Sequence, residues 1–201
     1  MLQHIIQRAY SFMGTLESTY DLALLCADLK GDYVECGVAG GAQVAAMALA
    51  APEKKIWLFD SFEGIPIAGK HDDSQPGIGP ITNGSGELIS SGVSSCSIEG
   101  VKSHMKDWGI PLDNMKFVEG WFQNTMPKNR VKDIALLRLD GDLYESTLIC
   151  LEYLYPKLIK GGYLIIDDYA LTGCRKAVDR YLLSAQFTEV DGGGGVVYLQ
   201  K

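Results

Sequence analysis

The sequence is poor in the residues that build disulfide frameworks and soft-metal sites. Its five cysteines, Cys26, Cys36, Cys96, Cys150 and Cys174, are odd in number, widely scattered and form no CxxC pair. The three histidines, His4, His71 and His104, do not cluster with them, which argues against a zinc centre. Thiols so placed are expected to be buried and reduced, as in a cytoplasmic protein. Basic charge is also short. Eighteen Lys and Arg against 25 Asp and Glu leave a formal net charge of −7, so no general nucleic-acid binder is expected. No apolar run reaches membrane-spanning length. The opening MLQHIIQRAYSFMG has neither a basic leader nor a small-residue cleavage site, so no signal peptide is expected. The dinucleotide fingerprint GxGxxG and internal repeats are missing as well.

What remains is a chain of 201 residues, 47% hydrophobic, enough for one sizeable core and a single domain over 1–201. Two N-terminal helices are expected within 1–30, one inside residues 1–14 with Ile5, Ile6 and Tyr10 on one side, and one over Leu16–Leu29. Tyr33–Cys36 reads as a buried strand, Gly37-Val38-Ala39-Gly40-Gly41 as a glycine turn, Ala42–Ala51 as a helix, and Lys55–Phe59 as a second strand closing on Asp60-Ser61. Residues 64–94 are rich in Gly, Pro, Ser and Asp without periodicity and read as a lid over the active edge, with His71 and Asp72-Asp73 solvated in it. A helix over Ser97–Trp108 and a strand over Met115–Val118 follow, then TMPKNRVKD as a plain connection and a strand over Ile134–Leu139. Arg138 is the one charge in that run and needs a partner or an escape to solvent. A helix over Glu145–Leu158 stopped by Gly161-Gly162, a strand over Tyr163–Ile166 and a helix over Gly173–Ser184 come next. The terminal hairpin, Phe187–Val190 and Val196–Leu199, completes a mostly parallel seven-stranded α/β sheet with an antiparallel C-terminal edge.

The chemistry is carried by two acidic clusters. Asp140-Gly141-Asp142 closes IALLRLDGD, and Asp167-Asp168 closes GGYLIIDDY. Both follow strands separated by one helix, so four carboxylates should meet at one edge of the sheet. Such a crowd is costly unless a cation sits in it or protons are shared, and Mg2+ is the first candidate for oxygen ligands. Asp140, Asp167 and Asp168 are the candidate metal ligands, and Asp142, beside them, suits a general base. The bland alternative makes Asp142 and Asp168 helix caps. Arg175 and Lys176 could balance the acids, and Tyr169 either lines a pocket or packs. The glycine turn would seat a methionine-derived cofactor, which carries ribose, adenine, sulfonium and an amino-acid end but no phosphates. Its candidate wall is Glu35, Gly37, Gly41, Asp60, Ser61, Gly120, Trp121 and Asp140. Glu35 would accept from the cofactor's ammonium, Asp60 with Ser61 from the ribose hydroxyls, and Gly120-Trp121 would sandwich adenine.

The motifs YVECGVAGG, LFDSFEGIP, EGWFQNTMP, LLRLDGDLYEST, LYPKLIKGGYLIIDDY and CRKAVDRY together resemble the Mg2+-dependent sugar O-methyltransferases of the macrocin and mycinamicin type. The resemblance implies a Rossmann-like fold that binds S-adenosylmethionine. It also implies metal ligation by Asp140, Asp167 and Asp168, proton abstraction by Asp142, ribose contact by Asp60, and an amino-acid end near Glu35 and Gly37. The implied acceptor is a small hydroxylated molecule, a sugar or glycosylated metabolite, and the implied assembly a homodimer or larger. The competing readings are a catechol-like acceptor and a cofactor-binding protein without turnover. The sequence departs from the family pattern in three places, one of them a short N-terminal part in a region that helps to shape the family's substrate pocket. Ala39-Gly40 stands where relatives carry a Trp-Arg pair, and four glycines precede the last strand.

Overall fold

The structure, a computed structural model, describes residues 1–8, 11–72 and 88–201. Tyr10, Asp73 and the middle of the expected lid lie outside the described residues. Two helices, α1 (Leu2–Ile6) and α2 (Met13–Leu25), precede the strands β1 (Asp32–Cys36), β2 (Ile56–Asp60), β3 (Met115–Glu119), β4 (Ile134–Leu139), β5 (Leu158–Ile166), β6 (Thr188–Glu189) and β7 (Val197–Gln200). These form one sheet in the order β3-β2-β1-β4-β5-β7-β6. The first five run parallel, β7 runs antiparallel to β5, and β6 antiparallel to β7. The remaining helices are α3 (Ala42–Ala50), α4 (Ile98–Asp107), α5 (Phe122–Thr125), α6 (Tyr144–Leu154) and α7 (Thr172–Tyr181). No helix among the described residues is long and apolar enough to cross a membrane.

The central strands are apolar along their length because both faces of the sheet are covered. Tyr33 and Leu136 pack with Val44, Met47 and Met105 in one core. Val34, Cys36, Leu137 and Leu139 pack with Cys150, Leu151 and Val178 in the other. Side chains alternate between these two cores with the strand period of two. Glu35 and Arg138 share the parity of Tyr33 and Leu136, and they stand opposite each other across β1 and β4.

Several boundaries differ from the sequence expectation. The helix expected to run to Leu29 stops at Leu25, where the chain tightens into turns with Ala27 N donating to Leu24 O and Leu29 N to Cys26 O. The connection expected over TMPKNRVKD holds a 3-10 turn, Met126–Lys128, with Pro127 near its start, and the short helix α5 precedes it and ends at Thr125. The helix expected to reach Leu158 ends at Leu154, and β5 already begins at Leu158 and runs through Gly161-Gly162. Those glycines therefore do not stop a helix. Gly161 takes φ +86° in a strand whose register with β4 shifts, and a Cβ on Gly162 would lie 2.7 Å from Ala135 O. The terminal hairpin is shorter than expected, with β6 only two residues long. The base of the 64–94 loop is ordered by Ile65 N to Val93 O, Ser91 N to Ile65 O and Ile67 N to Ile89 O.

Candidate active site

The sheet order reverses between β1 and β4, the place where open α/β sheets leave a crevice beyond their carboxyl ends. The two strand ends touch there. Asp140 N donates to Cys36 O at 2.8 Å, and Asp167 N to Leu139 O at 2.9 Å. Gly37 adopts φ +89°, and a Cβ there would lie 1.7 Å from Asp140 O, so only glycine lets the cofactor turn pass the acidic loop.

The turn after β1 is held from the end of β2. Asp60 Oδ2 accepts from Val38 N at 2.6 Å and Ala39 N at 3.2 Å, and its Oδ1 from Phe62 N at 2.7 Å. Burial raises the Asp60 carboxyl above the ordinary aspartate value, against the lowering effect of these three amides. Ser61 Oγ donates to Gly64 O at 2.9 Å and accepts from Glu63 N. Asp60 thus shapes the glycine turn as well as facing the crevice.

The crevice is a cavity of ≈ 210 Å³. It is lined by Gly37, Asp60, Ser61 and Trp121, by the carboxylates Asp140, Asp142, Asp167 and Asp168, and by Gly64, Ile65 and Pro66. Eight of the residues expected from sequence therefore meet in one place. Glu35, Gly41 and Gly120 do not line it. Glu35 lies buried behind the acids, Gly41 faces α4, where a Cβ would come 2.7 Å from Met105 Cε, and Gly120 faces Thr125. Gln123 and Ser146 also line the cavity and had no assigned role in the sequence. Ser146 sits one helical turn after Asp142, a spacing that places both at the same helix end.

Three carboxylates converge in this cavity. One oxygen each from Asp140, Asp142 and Asp168 lies within 4.8 Å of the others. Asp168 Oδ2 accepts from Asp142 N at 2.8 Å, and Asp142 takes φ +55°. Burial, followed by the charges of Asp140 and Asp167, pushes the Asp142 carboxyl up to about 8. Burial and the charge of Asp142 raise Asp168 well above the usual carboxylate range. Oxygen donors this close and this crowded fit a hard divalent ion, which would relieve the repulsion that the raised values report.

Asp167 lies outside that trio and pairs with Arg138. Arg138 is buried, and its Nη2 donates to Asp167 Oδ1 while Nη1 donates to Glu35 Oε1 at 2.8 Å and to Asp140 Oδ2 at 2.9 Å. Burial pushes Asp167 up to about 7 despite the guanidinium. The partner that Arg138 requires is thus the acidic set itself. Arg175 does not balance the acids as expected. It stacks over the Tyr169 ring and donates to Tyr169 O, while Tyr169 OH donates to Asp179. Asp72, expected in a solvated loop, is buried and accepts from Tyr144 N at 2.8 Å.

Residues 13–198 match the family model Macrocin-O-methyltransferase (TylF). The chain is 36% identical over 180 residues to an 8-demethyl-8-(2,3-dimethoxy-alpha-L-rhamnosyl)-tetracenomycin-C 4'-O-methyltransferase of Streptomyces olivaceus, covering 85% of this chain and 67% of that protein. It is 36% identical over 160 residues to a demethyldecarbamoylnovobiocin O-methyltransferase of Streptomyces niveus, covering 77% of this chain and 59% of that protein. The solved O-methyltransferase NovP superposes with a TM-score of 0.76 at 30% identity, over 94% of this chain and 80% of its own.

Proposed function

The chain belongs to the Macrocin-O-methyltransferase (TylF) family, and on that premise we propose that it transfers the methyl group of S-adenosylmethionine to a hydroxyl of a sugar or glycosylated small molecule with the help of a divalent cation. The observation that carries the reading is the convergence of Asp140, Asp142 and Asp168 at the strand ends beside the glycine turn. Named relatives that methylate sugar-bearing natural products support the acceptor class.

When bound, S-adenosylmethionine brings an electrophilic methyl on sulfur, and the cation brings charge that orients a hydroxyl and lowers its pKa. The residues then divide the work. The turn at Gly37, fixed by Asp60, would seat the cofactor, with Ser61 and Trp121 lining the same cavity. Asp140 and Asp168 would hold the cation, with Asp167 as the third carboxylate. Asp142 would take the hydroxyl proton on a carboxylate oxygen, and the bound cation would favour the ionised carboxylate that this task needs. Arg138 keeps Asp140 and Asp167 aligned through the forked guanidinium.

The test is incubation of the purified chain with methyl-labelled cofactor, Mg2+ and a panel of nucleotide sugars, glycosylated metabolites and catechols. Label is expected on a sugar hydroxyl, and removal of the cation with a chelator is expected to abolish transfer. Transfer that survives chelation would remove the cation from the reading, and label confined to catechols would replace the acceptor class. The same reading places the chain in the cytoplasm, as a homodimer or larger assembly. A single-chain mass by light scattering would refute the assembly, and export of the protein from producing cells the location.

A further inference from the structure

The helix that follows the DGD turn is capped from far away in sequence. Its N-cap residue, Leu143, has no side chain able to accept a hydrogen bond. The first helical amide, Tyr144 N, donates instead to Asp72 Oδ1 at 2.8 Å, across 72 residues of chain. Asp72 Oδ2 accepts from Gly69 N at 3.0 Å, and Asp72 N donates to Gly69 O at 3.1 Å, so the carboxylate closes its own turn as well. A negative group at this position satisfies an orphan N–H and meets the positive end of the helix dipole.

Everything around the contact is fitted to it. A Cβ on Gly173 of α7 would lie 1.8 Å from Asp72 Oδ1, so the glycine leaves the space that the carboxylate fills. The His71 ring packs on Tyr144 with centroids 4.3 Å apart, and Arg180 Nη1 donates to Tyr144 OH at 2.6 Å. Lys176 Nζ donates to His71 O at 3.1 Å. The stretch from Gly64 to Asp72 is therefore fastened to α6 and α7 at one end, while at the other Gly64, Ile65 and Pro66 line the cavity.

Resting on the methyltransfer reading of the site, we propose that Asp72 is a positioning residue for Asp142. The turn between β4 and α6 carries Asp142 in the left-handed region, which aspartate adopts more readily than most non-glycine residues and which a local constraint fixes here. Two carboxylates supply that constraint: Asp168 on Asp142 N and Asp72 on Tyr144 N. Because Asp72 belongs to the segment that lines the cavity through Gly64, Ile65 and Pro66, that part of the lining and the base are tied to one another.

The test uses Asp72→Ala, Asp72→Asn and Gly173→Ala, with wild type alongside. Turnover, acceptor KM, cofactor Kd and the amide hydrogen exchange of the Tyr144 segment are measured for each. Asp72→Ala and Gly173→Ala are expected to lower kcat roughly tenfold or more, as a small misplacement of a reacting group does. Cofactor Kd is expected to stay at the wild-type value, and exchange at the start of α6 to speed up. Asp72→Asn keeps a carbonyl oxygen for Tyr144 N and is expected to restore most of the turnover. If Asp72→Ala fails to fold, Gly173→Ala carries the test, since alanine is otherwise favoured over glycine in a helix. Unchanged kcat in both variants, or a cofactor Kd that weakens in step with kcat, would overturn the proposal. If wild type transfers no methyl group to any acceptor, the functional reading fails, and the exchange result alone decides whether Asp72 holds the turn.

Discussion

Replacing Asp142 by asparagine is expected to lower turnover by about two to four orders of magnitude, the usual contribution of a positioned general base, while cofactor and Mg2+ affinities stay near wild type. Asparagine has nearly the same shape and tolerates the left-handed backbone that this position adopts at φ +55°. The backbone N–H of residue 142 would still reach Asp168 Oδ2, so the turn keeps its anchor. What is lost is an oxygen able to take a proton beside Asp140 and Asp168, whose carboxylate oxygens lie within 4.8 Å. Labelled-methyl kinetics and calorimetric Mg2+ titration on the same preparation separate the outcomes. Turnover at the wild-type level would remove Asp142 as the base. A collapse of Mg2+ affinity comparable with that of Asp168→Asn would make Asp142 a ligand instead.

The second large effect is on stability. Arg138→Met is expected to destabilise the fold by about 3–5 kcal/mol, the cost of removing one partner from a buried ion pair. Arg138 and Glu35 each show only 1% side-chain exposure, so solvent screens this pair little. Glu35 Oε2 already has no hydrogen-bond partner among the described residues, and Arg138 supplies the partner of Oε1. Burial pushes the Glu35 carboxyl up to about 8 against the lowering effect of the guanidinium, and removing Arg138 would take that compensation away. Arg138→Lys is expected to recover only part of the loss, because an ammonium cannot fork between Glu35, Asp140 and Asp167. Adding Glu35→Gln to Arg138→Met is expected to return stability by removing the stranded acid. Urea midpoints measure all of these. A midpoint for Arg138→Met equal to wild type would show that the buried acids do not depend on this cation.

The acidic edge was legible in the sequence because each cluster ends an apolar run. Consecutive parallel strands separated by one helix usually lie side by side, and β4 and β5 do, so Asp140, Asp142, Asp167 and Asp168 come to one edge. The period-two alternation of β4, continued one residue past its end, also puts Asp140 on the side of Arg138, which donates to it. What the chain does not display is register. Nothing in YVEC or LLRL says that Glu35 stands opposite Arg138, so an acid read as facing the cofactor turns out to be the buried counter-charge of an arginine. Nor does the chain display which oxygens come closest: Asp140, Asp142 and Asp168 form the tight trio, while Arg138 pairs with both Asp140 and Asp167. Asp72 was illegible for another reason. A carboxylate in a Gly- and Pro-rich stretch looks solvated, and the amide it caps lies 72 residues away. Gly161-Gly162 shows how an ambiguous signal misleads: the pair that marks a helix stop elsewhere here lets β5 shift register against β4.

The central claim is that a divalent cation sits at the shared edge of β4 and β5 and works there with Asp142. Diffraction from crystals grown with Mn2+ and the cofactor, collected for anomalous scattering at the manganese edge, tests it directly. One peak is expected at the strand ends, at about 2.1 Å from oxygens of Asp140, Asp167 and Asp168, near the short distance of small octahedral ions, with Asp142 adjacent but outside the ligand set. A peak elsewhere, or none at that edge under conditions that support methyl transfer, would contradict it.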